Sequence, residues 1–288
     1  MGDITRVGVV GAGLMGSGIA EVTARAGLDV VVVEADAAAA EAGRGRIEKS
    51  LARGVDKGKL SADERDAALA RLTFSTELEA CADRQLVIEA VAENEAVKLD
   101  VFGKLDAITG PDAILASNTS SLPITRLAMA TQRPERVVGL HFFNPVPVQK
   151  LVELIPSLLT GDDTVEKASA FASDVLGKTV VKASDRAGFV VNALLIPYLL
   201  SAIRMVEAGH ATPEDIDNGM VLGCAHPMGP LRLADLVGLD TTKAVAESMY
   251  EEYKEPLYAP PPLLQRMVEA GLYGRKSGRG FYDYTRGE

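Results

Sequence analysis

The chain has 288 residues, 47% of them hydrophobic, which suits one large or two modest domains with real cores and excludes disorder along the whole length. Its formal net charge of -10 argues against nucleic acid as a partner, because binding a phosphate backbone needs a net basic face. An anionic ligand then requires a locally basic or amide-lined site.

In chain order, RVGVV (6–10) is a short apolar run ended by glycine, which predicts a buried strand. The next segment, LMGSGIAEVTARAG, spaces Leu14, Ile19, Val22 and Ala26 at helical intervals, with Gly27 as C-terminal cap. VVVV (30–33) predicts a second buried strand, and an alanine-rich helix then runs to about Lys57. Ser61 and Glu64 form a capping box that opens another helix. LVIEAV (86–91) and AILAS (113–117) predict strands on either side of the helical AVKLDVFGKL. The strands VVGLHF and LVELI follow, then the helical DTVEKASAFASDVLG and the strand TVVKA. Strands alternating with helices predict a mostly parallel sheet covered on both faces, a Rossmann-type α/β domain.

After about Asp185 the texture changes. FVVNALLIPYLLSAIRMVEAG predicts one long buried helix kinked at Pro197, and Thr212 starts another with proline at its first position. Further helical stretches follow, Pro260 to Pro262 interrupt the chain before the short helix LLQRMVEAG, and no strand is evident. The expected organisation is an α/β domain over 1–185 and an all-α domain over 186–288. The longest charge-free apolar stretch, 188–203, is short for a membrane span and carries Asn192 and Pro197. The N-terminal residues lack the pattern of a secretory signal. Cys81 and Cys224 stand far apart with no metal-ligand spacing, so core thiols and no metal are expected. A cytoplasmic protein with no membrane partner is the expectation.

Gly11-Ala-Gly13-Leu14-Met15-Gly16 is a GxGxxG turn between a predicted strand and helix. There Gly11 makes the turn, Gly13 admits a pyrophosphate to the backbone, and Gly16 lets the helix pack closely. Glu34, at the end of the second strand, occupies the place of an acidic side chain that binds the adenosine ribose of NAD and repels the extra phosphate of NADP. Asp36 competes for that role, and either carboxylate can instead be a helix cap or a solvated loop residue.

His141 ends the apolar VVGLHF, and Glu153 interrupts the apolar LVELI. A lone histidine can be a core residue bonded to a backbone carbonyl, a metal ligand, or a general base. Ligand partners at metal spacing are missing, and a base needs a group to hold its tautomer. Glu153 can supply that, and a buried carboxylate itself needs a partner. The two strand ends can lie side by side if the chain turns at Asn144-Pro-Val-Pro147. SNTSSL (117–122) follows a strand whose carboxyl end is where open α/β sheets bind ligands, so Asn118, Ser120 and Ser121 are either site residues or a capped turn. No GxSxG elbow accompanies them, which disfavours a hydrolase.

Together, GAGLMGSGIAE, ASNTSSLPI, GLHFFNPVPV, LVELI, GFVVN, HPMGPLRLADLVGLDTT and GRKSGRGFYDY resemble the short-chain L-3-hydroxyacyl-CoA dehydrogenase family, the 3-hydroxybutyryl-CoA group above all, over nearly the whole chain. The resemblance implies an NAD-dependent enzyme interconverting 3-hydroxyacyl-CoA and 3-ketoacyl-CoA. It implies His141 as the catalytic base, Glu153 as its partner, and Ser120 and Asn192 as substrate-orienting residues. It implies Gly11, Gly13, Leu14, Met15, Gly16, Glu34, Glu93, Lys98 and Asn118 as cofactor contacts, and Ser50 and Lys57 as CoA contacts. By residue type alone Lys57 is as much a solvated helix end. The resemblance further implies a homodimer formed through the helical domain. Glu34 stands where the family more often has aspartate, and Ala187 where many members have proline. Related proteins act on sugar acids such as L-gulonate or on carrier-protein-bound acyl chains, and some of this fold serve only as NAD-binding structural proteins.

Overall fold

In the computed structural model, which describes residues 4–285, the apolar runs of the first half pair into one eight-stranded sheet. The strands are β1 (Arg6–Val10), β2 (Asp29–Val33), β3 (Leu72–Ser75), β4 (Leu86–Glu89), β5 (Ile114–Ser117), β6 (Val137–Phe142), β7 (Leu151–Pro156) and β8 (Thr179–Lys182). Their order is β3-β2-β1-β4-β5-β6-β7-β8. All neighbours run parallel except β6 and β7. The first six strands thus have the dinucleotide-fold order, which reverses between β1 and β4 and opens a crevice at their carboxyl ends. Only a short segment, 143–150, links β6 to β7, too little chain for a crossover, so that pair is antiparallel.

β3 is absent from the elements expected from sequence. It is an edge strand, partly exposed, and LTFS alternates apolar with hydroxylated residues instead of forming an apolar run. The covering helices are α1 (Leu14–Arg25), α2 (Ala37–Asp56), α3 (Ala62–Leu69), α4 (Glu95–Ile108), α5 (Ile124–Ala128) and α6 (Asp162–Ala170). Their starts follow local chemistry: Asp36 caps α2, the Ser61–Glu64 box caps α3, and Asn94 caps α4. The core is built from strand side chains such as Val7, Val9, Val32, Ile88 and Leu140, with Ile19 and Ile47 packed on them from the helices. Each such side chain contributes about 1.5–3 kcal/mol by leaving water. Cys81 belongs to this unit's interior, where burial pushes its thiol up to about 12, so it is an inert core group. Cys224 is exposed.

The chain divides into two units, Met1–Asp185 and Arg186–Glu288. The second consists of α7 (Val191–Glu207), α8 (Pro213–Cys224), α9 (Pro230–Val237), α10 (Leu239–Tyr253) and α11 (Pro262–Glu269) around Leu199, Leu200, Ile203, Leu231 and Met249. α7 runs through Pro197. The lost amide there would have bonded to Ala193, in the first turn, where an interrupted ladder does least harm. Two buried carboxylates organise this unit. Asp217 accepts from the Leu231 and Arg232 amides and so caps α9, and Asp235 accepts from the Phe281 and Tyr282 amides and holds the aromatic tail. Among the described residues, no helix is long and apolar enough to cross a membrane, and no cluster of His, Cys, Asp or Glu is arranged to hold a metal.

Candidate active site

The glycine-rich turn lies between β1 and α1. Gly11 has φ +94°, and a Cβ there would stand 2.7 Å from the Ala90 carbonyl oxygen. A Cβ at Gly16 would fall 1.7 Å from the Gly11 oxygen, so only glycine lets α1 start this close to β1. At Gly13 a Cβ would meet no described atom within 4 Å, leaving room for a ligand to approach the backbone. Met15 packs against the core and Leu14 is exposed. The α1 start has no side-chain cap among the described residues, an arrangement that suits an anion.

Glu34 follows β2 and accepts a hydrogen bond from the Ala12 amide, within this turn. Asp36 instead accepts from the Ala39 amide at 2.8 Å as the α2 cap. The structure therefore separates the two competing carboxylates: Glu34 stands at the turn and Asp36 serves the helix. An open glycine, an uncapped helix start and an acidic side chain after the second strand together fit the pyrophosphate and ribose of NAD.

His141 and Glu153 face each other across the β6–β7 pair in direct register. Opposed residues of an antiparallel pair project to the same face, which makes their contact a consequence of the hairpin. His141 Nδ1 lies 2.7 Å from Glu153 Oε2, with Glu153 fully buried and His141 6% exposed. The Phe143 ring packs beside the imidazole at 4.6 Å between centroids. A carboxylate at Nδ1 fixes the tautomer that carries its proton there and stabilises the imidazolium, so Nε2 is the nitrogen that exchanges protons.

The loop after β5 is tied to this pair. Asn118 Oδ1 accepts from the amide of Phe142, the residue after His141, at 2.9 Å. Glu93 accepts from the Thr119 hydroxyl, from the Ser120 amide at 3.1 Å and from the Ser121 hydroxyl at 2.9 Å. Lys98, on α4 and buried, pairs with Glu89 at 2.6 Å and Glu93 at 3.2 Å. Burial works to raise the Glu93 carboxyl, but the Lys98 ammonium and the Thr119 and Ser121 hydroxyls outweigh it and hold the group below the usual carboxylate range. The loop is thus a capped turn that also gathers Glu93, Lys98, Asn118 and Ser120 at the carboxyl ends of β4 and β5. Sequence reasoning overlooked Glu89 and Ser117, although Glu89 is the one charged residue of LVIEAV, the same anomaly that marked Glu153.

Ser50, on α2, and Lys57, the C-cap of that helix, line one cleft of about 410 Å³ together with Glu21, Arg25, Arg53 and Lys59. Four cations there make a locally basic surface on an acidic chain. Burial pushes the Glu21 carboxyl up, against the opposing influence of the Ser50 hydroxyl and Arg25. Asn192 belongs to the helical unit, half-buried, as the second residue of α7.

Two family models cover the chain: the 3-hydroxyacyl-CoA dehydrogenase NAD-binding domain over residues 6–186 and the C-terminal domain of the same enzymes over 188–284. The protein belongs to the 3-hydroxyacyl-CoA dehydrogenase family and is an NAD-dependent oxidoreductase. It is 65% identical over 282 residues to 3-hydroxybutyryl-CoA dehydrogenase of Mycobacterium tuberculosis strain H37Rv, covering 98% of this chain and 99% of that protein. It is 43% identical to the mitochondrial hydroxyacyl-coenzyme A dehydrogenase of Sus scrofa, over 98% of this chain and 91% of the pig protein. Among solved structures, (S)-3-hydroxybutyryl-CoA dehydrogenase from Ralstonia eutropha superposes with a TM-score of 0.93 at 46% identity, over 99% of this chain and 100% of that one.

Proposed function

We propose that the protein interconverts (S)-3-hydroxybutyryl-CoA and acetoacetyl-CoA, with His141 and Glu153 as the acid–base pair. The observation that carries this reading is the 2.7 Å contact between His141 Nδ1 and a fully buried carboxylate directly opposite. Oxidising a secondary alcohol removes the hydroxyl proton as hydride leaves the same carbon. NAD, when bound, supplies the hydride acceptor. His141 Nε2 takes the proton, while Glu153 holds the ring by Nδ1 and balances the positive charge that forms. In the reverse direction the protonated ring returns the proton to the ketone oxygen. Ser120 and Asn192 orient the substrate oxygens, since alignment sets much of the rate.

In this reading Gly11, Gly13, Leu14, Met15 and Gly16 hold the pyrophosphate. Glu34 takes the adenosine ribose and excludes the phosphate of NADP by repulsion. Glu93, Lys98 and Asn118 serve the nicotinamide half. The α/β domain, 1–185, is the cofactor domain, and the helical domain, 186–288, carries Asn192 for the substrate and forms a homodimer. Two free cysteines fit a reducing compartment, and we place the enzyme in the cytoplasm.

The basic cleft separates a CoA substrate from a sugar acid, which carries no phosphates for it to hold. Lys57→Ala is expected to raise KM for acetoacetyl-CoA about fivefold, the size of an exposed ionic contact. The same change should leave KM unaltered for the acetoacetyl thioester of N-acetylcysteamine, which lacks the nucleotide. Equal effects on both substrates, or on neither, would remove Lys57 and its cleft from CoA recognition.

A further inference from the structure

We propose that Glu89 is a positioning residue of this site: a buried carboxylate that roots the Asn118–Ser121 loop and thereby sets the position of Ser120. The inference rests on the role proposed above for Ser120. Sheet register puts Glu89 beside Val10 of β1 on one side and Ser117 of β5 on the other, at the point where the strand order reverses. The side chain is fully buried, and so is the Lys98 ammonium that meets it. A carboxylate taken out of water is strongly destabilising unless its lone pairs are filled, so a folded chain keeps one there only with a full set of donors.

Those donors form two routes to the same loop. On one, Glu89 Oε1 accepts from Lys98 Nζ at 2.6 Å and from the Val91 amide at 2.8 Å. Lys98 reaches Glu93 Oε2 at 3.2 Å, and Glu93 in turn accepts from Thr119, Ser120 and Ser121. On the other, Glu89 Oε2 accepts from the Ser117 hydroxyl at 2.6 Å, and that hydroxyl accepts from the Thr119 amide at 3.1 Å. The Glu89 carbonyl also accepts from the Asn118 amide at 2.9 Å. One buried side chain therefore anchors the loop through an ionic branch and a neutral one.

Glutamine at this position keeps the shape but replaces one acceptor by a donor. With its oxygen towards Lys98 and the Val91 amide, its NH2 faces Ser117. The Ser117 oxygen then accepts from both sides and its proton loses its acceptor, so the neutral branch slackens. A displacement of about 1 Å in an orienting group can cost 10²-fold in rate.

The test is a double-mutant cycle in kcat for acetoacetyl-CoA reduction by NADH, using Glu89→Gln, Ser120→Ala and the double variant. Glu89→Gln is expected to lower kcat by roughly tenfold to a hundredfold, with little change in KM for acetoacetyl-CoA because the α2 cleft is untouched. The double variant is expected to match Ser120→Ala alone, since on this proposal the kcat loss of Glu89→Gln runs through Ser120. Losses that multiply in the double variant overturn the proposal, as does full activity of Glu89→Gln beside an impaired Ser120→Ala. A fully active Ser120→Ala beside an impaired Glu89→Gln also overturns it, and takes the assignment of Ser120 with it. If Glu89→Gln does not fold, Ser117→Ala carries the same cycle with every charge retained. A smaller kcat loss that vanishes in the Ser120→Ala background is the expected result, and a multiplying loss overturns the proposal.

Discussion

Replacing His141 by alanine is expected to reduce turnover of acetoacetyl-CoA by roughly 10²–10⁴-fold, the usual worth of a positioned acid–base group, while NADH still binds. Glu34 bonds within the glycine turn after β1, whereas His141 pairs with Glu153 across the β6–β7 hairpin, which is why cofactor binding should survive. The substitution has a second consequence. It removes the Nδ1 partner from a carboxylate that is 0% exposed, and removing one partner of a buried ion pair typically destabilises by about 3–5 kcal/mol. A fall in activity alone would then mix chemistry with folding. The double variant His141→Ala/Glu153→Gln separates them, because a neutral amide is far easier to bury. It is expected to recover much of the lost Tm and none of the lost turnover. Near-normal turnover in either well-folded variant would remove His141 from the mechanism.

Glu153→Gln is expected to have the next largest effect, a loss of about 10²–10⁴-fold, comparable to other systems in which a buried carboxylate orients a catalytic histidine. Either orientation of the new amide is damaging. A glutamine NH2 facing Nδ1 selects the tautomer with its proton on Nε2, which cannot accept a proton from an alcohol. A glutamine oxygen facing Nδ1 keeps the tautomer but leaves the imidazolium without a counter-charge. The protonated ring is needed for reduction and the neutral ring for oxidation. Glu153→Gln removes the charge that faces the ring, so the pH–rate profiles of both directions should change. Steady-state rates in both directions across pH 5–9 check this. Profiles that coincide with those of the parent protein would mean that Glu153 packs without steering the ring.

Much of this site was legible in the sequence because its residues break local patterns. A glycine triplet between an apolar run and a helical run has few other uses, and a charge inside LVELI demands a partner. Glu89 breaks the LVIEAV run in the same way, yet its partners were not legible. Lys98 reaches it from the next helix and Ser117 from the neighbouring strand, and both meetings depend on tertiary packing. The pairing of His141 with Glu153 needed the register of an antiparallel hairpin, which neither strand's composition specifies. Strand β3 escaped notice because an edge strand need not be apolar on both faces. The choice between Glu34 and Asp36 turned on which carboxylate the next helix would claim, a matter of backbone geometry at its first turn.

The most direct test of the central claim is the consumption of NADH on adding acetoacetyl-CoA, with free acetoacetate and NADPH run in parallel. The account predicts rapid turnover with acetoacetyl-CoA and NADH and little with either control, because the proposed roles give the α2 cleft the CoA phosphates to hold and set Glu34 against the extra phosphate of NADPH. A protein that binds NADH yet leaves acetoacetyl-CoA unreduced, or reduces free acetoacetate as fast, would contradict it.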